Sequence, residues 1–179
     1  MKERTIPGAA LAISRNGQLI LARGYSWITD IETHVEPGSL FRLASVYTQQ
    51  KNWPEAIATW EAYTRATNGS AAGFNNLGFC YELAGNLTEA ERAYRNGIEK
   101  DPDDPSCRVN YGLMLARNGR VDDAMAQLRV VLTPAEVHYN LGSVAEQQGR
   151  KEEAKAYYRK ALELDPKLHD AKARLVALQ

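Results

Sequence analysis

The strongest constraint on this chain is a motif that returns at a fixed interval. Leu43-Ala44, with Tyr47 three residues on, is followed 34 residues later by Leu77-Gly78, with Tyr81 in the same place. Ala56 and Ala90 keep that interval, and so do Trp60 and Tyr94. A period this long marks a repeated supersecondary unit. One such unit cannot bury its own apolar stripe, so stacked neighbours supply the core. An array of this kind offers a surface for binding more readily than a centre for a reaction.

The punctuation between apolar runs predicts helix–turn–helix pairs. The first runs from Leu40 to about Ala66 and breaks near Lys51-Asn52. The second starts near Ala71 and breaks at Gly85-Asn86; the third starts near Pro105 and breaks at Asn118-Gly119. The fourth starts near Pro134 and breaks at Gly149-Arg150, and a single helix, Asp170 to Leu178, follows Pro166. Glycine at a break tolerates the left-handed conformation that ends a helix. Asn52 and Asn86 are candidate caps, each with a glutamate three residues on (Glu55, Glu89). Thr133-Pro134-Ala135-Glu136 is a fuller start signal: capping threonine, proline at the first helical position, glutamate to close the box. Gly78, Gly112 and Gly142 stand where two helices must approach closely, with Ala90, Ala124 and Ala154 opposite. From Tyr111 to Leu141 is 30 residues, about one helical turn short of the period. That deficit predicts a shortened second helix in the third pair, ending near Leu132.

These positions resemble the tetratricopeptide repeat family, whose pattern is W-x2-L-G-x2-Y, then A, then an aromatic, then P. The second repeat carries it as Phe74, Leu77, Gly78, Tyr81, Ala90, Tyr94 and Pro102, the fourth as Leu141, Gly142, Ala154, Tyr158, Ala161 and Pro166. The third keeps Tyr111, Gly112, Ala124 and Leu128; the first keeps Leu43, Ala44, Tyr47, Ala56 and Trp60. The resemblance implies an all-α helical-hairpin solenoid, right-handed, over 37–179. Its repeats fall at 37–70, 71–104, 105–134 and 135–168, with a capping helix at 169–179 and Leu175 at the leucine position. It also implies a protein or peptide partner held in the concave groove lined by the first helix of each repeat. Asn76, Asn110 and Asn140 recur at one repeat position there, and a side-chain amide both donates and accepts. Asn75, Phe79, Glu82, Leu113, Tyr139 and Ser143 complete the candidate groove. The alternative for the asparagines is a bond to a neighbouring helix. Family members that grip the C-terminal carboxylate of heat-shock chaperones use groove cations; Asn75, Phe79, Ser106, Asn110, Glu136 and Asn140 stand at those positions. That partner class is therefore not expected.

Residues 1–36 follow another rhythm. Ala10–Ser14 and Gln18–Ala22 flank Arg15-Asn16-Gly17, and two apolar runs joined at Asn-Gly predict a short β-hairpin. A lone hairpin is marginal in water, so it is expected to pack on the first helical pair, or to pair its free edge with another chain. Ile6-Pro7-Gly8-Ala9-Ala10-Leu11-Ala12-Ile13, Ala22-Arg23-Gly24-Tyr25 and Leu40-Phe41-Arg42-Leu43-Ala44-Ser45-Val46 resemble the start of the serine β-lactamase and penicillin-binding esterase family. There a Ser-x-x-Lys motif supplies nucleophile and activating amine. Ser45 aligns with the serine, but Thr48 stands at the lysine position. A hydroxyl cannot replace the amine, so a truncated hydrolase remnant is the alternative reading, not the expected one.

Lys and Arg balance Asp and Glu to a net charge of zero, which gives no electrostatic footprint for nucleic acid. No stretch approaches the roughly 20 apolar residues that span a bilayer, and the expected location is cytoplasmic. Cys80 and Cys107 read as small apolar packing residues. His34, His138 and His169 share no ligand spacing, with His138 at a packing position, so no metal, cofactor or catalytic residue is expected.

Overall fold

The computed structural model describes the backbone of residues 9–15 and 18–25, and residues 36–178. The chain divides into two compact units, Met1–Thr67 and Asn68–Gln179.

In the first unit, β1 (Ala9–Arg15) and β2 (Gln18–Tyr25) form an antiparallel hairpin. Ala9 pairs with Tyr25 and Ala12 with Ala22, and the register slips between Ile13 and Ser14. The Asn16-Gly17 turn lies outside the described residues, and so does the expected packing of the hairpin side chains. The helical pair is α1 (Pro37–Gln49) and α2 (Trp53–Ala66). Ala44 and Ala56 are fully buried where these helices meet, and Trp60 closes the pair. Its ring stands edge-on to Phe41 and Tyr63, with centroids 5.0 and 5.5 Å away. The indole Nε1 donates to Thr48 Oγ1 at 3.0 Å, which satisfies the one polar atom this aromatic buries. The break falls at Lys51, whose φ is +56°, while Gly85, Gly119 and Gly149 hold the corresponding bend elsewhere. Asn52 makes no capping side-chain bond, contrary to the sequence expectation. Pro54 has no N–H to offer at one of the two positions such a cap reaches.

In the second unit, α3 (Ala71–Leu83) pairs with α4 (Leu87–Lys100), α5 (Pro105–Arg117) with α6 (Val121–Leu128), and α7 (Pro134–Gln147) with α8 (Lys151–Leu164). α9 (His169–Ala177) packs on α8. α3 also meets α5, and α5 meets α7, so the first helices of successive repeats run side by side. The core gathers Tyr94, Tyr111, Leu115, Leu128, Val137 and Leu141, with a second cluster around Tyr158, Ala161 and Ala171.

Small residues set the spacing. A Cβ on Gly78 would stand 2.8 Å from the Tyr94 ring, one on Gly112 2.7 Å from Leu128, and one on Gly142 2.8 Å from the Tyr158 ring. All three glycines are buried. Val176 stands 34 residues after Gly142 on α9 and is 60% exposed.

The third pair departs from expectation in extent. α6 ends at Leu128, not near Leu132, and has 8 residues where α4 and α8 have 14. Arg129–Leu132 form a turn, with Leu132 N–H bonded to the Leu128 carbonyl at 2.9 Å. The turn takes up the missing helical residues, and Thr133 then starts α7 with the capping box expected from sequence. Thr133 Oγ1 accepts from Glu136 N–H at 3.3 Å, and Glu136 Oε2 accepts from Thr133 N–H at 2.8 Å. The bond from the Thr133 N–H, then that from the Thr133 hydroxyl at 2.7 Å, holds the Glu136 carboxyl below its ordinary range. Thr133→Ala is expected to cost about 1 kcal/mol in chemical denaturation, most of it on the α7–α8 pair.

Candidate functional site

α3, α5 and α7 present one face whose side chains follow from the helical period. Asn75, Phe79 and Leu83 are spaced four apart on α3 and share a stripe. Leu113 holds on α5 the position that Phe79 holds on α3, and Ser143 holds it on α7. Two contacts fix α3 against α5 on either side of the Phe79–Leu113 level. At one end Asn110 Nδ2 donates to Asn75 Oδ1 at 2.8 Å. At the other Arg117 Nε donates to Glu82 Oε1 at 2.7 Å.

The candidate groove residues thus fall into three groups. Asn76 and Asn140 each donate their amide to the carbonyl four residues back, Ala72 and Glu136, at 2.9 Å. Asn110 reaches the neighbouring helix through Asn75, the alternative that the sequence left open. Glu82 belongs to the frame: its side chain is 8% exposed and holds Arg117, with the Tyr94 hydroxyl 3.4 Å from its other oxygen. Burial raises the Tyr94 phenol well above its ordinary range, so it remains a donor. Phe79 stays 39% exposed, and Leu113 and Ser143, at the same level of α5 and α7, are half-buried. Tyr139 is half-buried against Tyr158, ring centroids 5.8 Å apart. Sequence reasoning missed Leu83, which is 47% exposed. The signal was present, because Leu83 lies one turn beyond Phe79.

Glu82 has a counterpart in Glu146. Tyr158 donates to Glu146 Oε2 at 2.7 Å, and Arg174 of α9 donates to both carboxylate oxygens at 2.8 and 3.1 Å. Burial, then the bond to Glu146, pushes the Tyr158 phenol up to about 12. In the third repeat the corresponding residues are Ala116 and Leu128, both buried. The polar link between carboxylate and phenol there gives way to an apolar contact as a matched pair.

His138 packs as expected of a repeat position, its ring 6.0 Å from that of Tyr157. Its Nδ1 is buried and meets no hydrogen-bond partner among the described residues. Burial, then Lys160 and Arg129, lowers its pKa from the ordinary 6.5. On acidification the unfolded chain therefore takes up the proton first. This contribution to stability is present in full above about pH 6.5 and is lost progressively as pH falls from there through the lowered native pKa. His138→Phe is expected to flatten the stability curve below about pH 6.5, measured by urea melts of both proteins.

Ser45 donates its hydroxyl to the Phe41 carbonyl at 2.8 Å, and Thr48 does the same to Ala44. Both hydroxyls are thus engaged by the backbone of their own helix. Among the described residues no group of His, Cys, Asp and Glu could hold a metal, and no helix is long and apolar enough to cross a membrane.

Family models for the tetratricopeptide repeat match residues 81–136 and 135–168, and one for a domain of unknown function (DUF6340) matches 42–101. Tetratricopeptide repeat protein 7A of Homo sapiens is 35% identical over 88 residues, 47% of this chain and 10% of that protein. The chain thus spans about a tenth of the length of the curated relative it matches. The solved thermophilic TPR protein TTC0263 of Thermus thermophilus is similar at a TM-score of 0.60 and 23% identity, over 83% of this chain and 84% of that one. YrrB, a TPR protein with an unusual peptide-binding site, is similar at 0.57 and 22%, over 81% and 75%. At these identities the structural likeness is one of fold. The chain carries tetratricopeptide repeats, and its helices form an all-α solenoid of that kind.

Proposed function

We propose that this protein is a non-enzymatic scaffold that holds a peptide or protein segment along the face built by α3, α5 and α7. The observation that carries the reading is Phe79, a large apolar side chain left 39% exposed on α3. Leu83 extends it, and the Asn75–Asn110 pair lies one turn away. Tetratricopeptide arrays are interaction modules as a class, and YrrB, with its peptide-binding site, shares the fold. The buried thiol of Cys107 goes with a reducing, cytoplasmic setting. Burial pushes the Cys107 thiol up to about 11, which keeps it protonated and inert.

A partner recovered by wild-type protein should be lost by Phe79→Glu and retained by Val130→Glu. Both substitutions are at exposed positions, and Val130 lies in the turn after α6. The expected loss is about tenfold or more in affinity, with matching thermal melts. Equal recovery by the two variants would remove the face from the argument.

A further inference from the structure

Between α3 and α5 the ionised groups of this face offset each other within the fold: Glu82 accepts from Arg117 Nε at 2.7 Å. Glu136, at the start of α7, accepts from Thr133 in its capping box and keeps its negative charge. What remains for a ligand between α3 and α5 is neutral: the exposed ring of Phe79, the methyls of Leu83 and one amide pair. In that pair Asn110 donates and Asn75 accepts. Among the described residues, the N–H2 of Asn75 and the carbonyl oxygen of Asn110 have no protein partner. The pair therefore keeps one donor and one acceptor, the complement of the N–H and C=O that a single residue of an extended chain presents on one edge.

We infer that the occupant of this face is an uncharged, internal stretch of a partner protein in extended form. It seats a bulky apolar side chain on Phe79 and Leu83, with its backbone at Asn75 and Asn110. The inference rests on the docking reading above and adds the chemistry of the ligand. Among the described residues of this face, a free C-terminal carboxylate meets no unpaired cation, and an acidic segment finds none either. An apolar anchor with backbone hydrogen bonds is also insensitive to screening, unlike ion pairing.

The test selects binders to the full chain from two random peptide libraries. One displays peptides internally, with both ends joined to carrier; the other displays them with a free C-terminus. The expected result is enrichment from the internal library of sequences without net charge that carry an aromatic or branched apolar residue. As synthetic peptides they should bind equally well, within roughly twofold, as amide or free acid and in about 50 or about 500 mM NaCl. Phe79→Ser and Leu83→Ser should each weaken them about tenfold with unchanged thermal melts. Enrichment of acidic sequences or of free C-termini that still respond to Phe79→Ser would overturn the inference and leave the docking face standing. Binders indifferent to both substitutions, or no enrichment from either library, would remove the docking face as well.

Discussion

Tyr94→Ala is expected to destabilise the second unit by about 3–5 kcal/mol, read from the shift in a urea transition. Tyr94 is fully buried, and its ring covers Gly78 at a distance that leaves no room for a Cβ. Truncation opens a cavity between α3 and α4, which neither helix can close without parting from its neighbours. It also strips cover from Glu82 and the Arg117 it holds. Tyr94→Phe keeps the ring and loses only a hydroxyl at 3.4 Å, so it should cost about 1 kcal/mol or less. If the two variants were equally damaging, the ring would not be what spaces the helices. Repeat arrays unfold in parts, so the α3–α4 pair should report the loss before α7–α8.

Gly97→Val is expected to follow, at about 1–3 kcal/mol. A Cβ at Gly97 would stand 2.3 Å from Cys107 Sγ and 3.2 Å from Phe74 Cβ, the tightest approach among the described glycines. Gly97 lies on α4 and Cys107 on α5, so the clash falls between successive repeats rather than within one. Replacing glycine by valine should improve helix propensity by roughly a few tenths of a kcal/mol, which makes the net loss a stricter test. A Gly97→Val/Cys107→Ala double variant should recover part of it. A coupling of about 1 kcal/mol or more between the two sites, from a double-mutant cycle, is the signature. Strict additivity would argue against this contact.

The helical frame was legible in the sequence because it rests on local rules. Glycine and alanine at close approaches, breaks at Gly85, Gly119 and Gly149, and the Thr133 capping box depend on few neighbours and were readable residue by residue. The length of α6 was not readable. A four-residue deficit says that a turn is missing, but the choice between helix and turn for Arg129–Leu132 depends on how Leu132 settles against the core. Lys51 hid a left-handed bend that glycine marks elsewhere. On the candidate face, the residue types were legible and their engagement was not. Glu82 and Asn110 differ from Phe79 only in meeting partners 35 residues downstream or upstream, Arg117 and Asn75, and that distance lies outside any local pattern.

Val176 carries one last consequence. At this level of each preceding second-unit repeat, a hydrogen atom is all that separates backbone from the companion rod. α9 puts a branched side chain there instead. A companion laid on α9 as α8 lies on α7 would collide with two methyl groups, so the pairing rule that builds the stack cannot be applied to α9 in the same form.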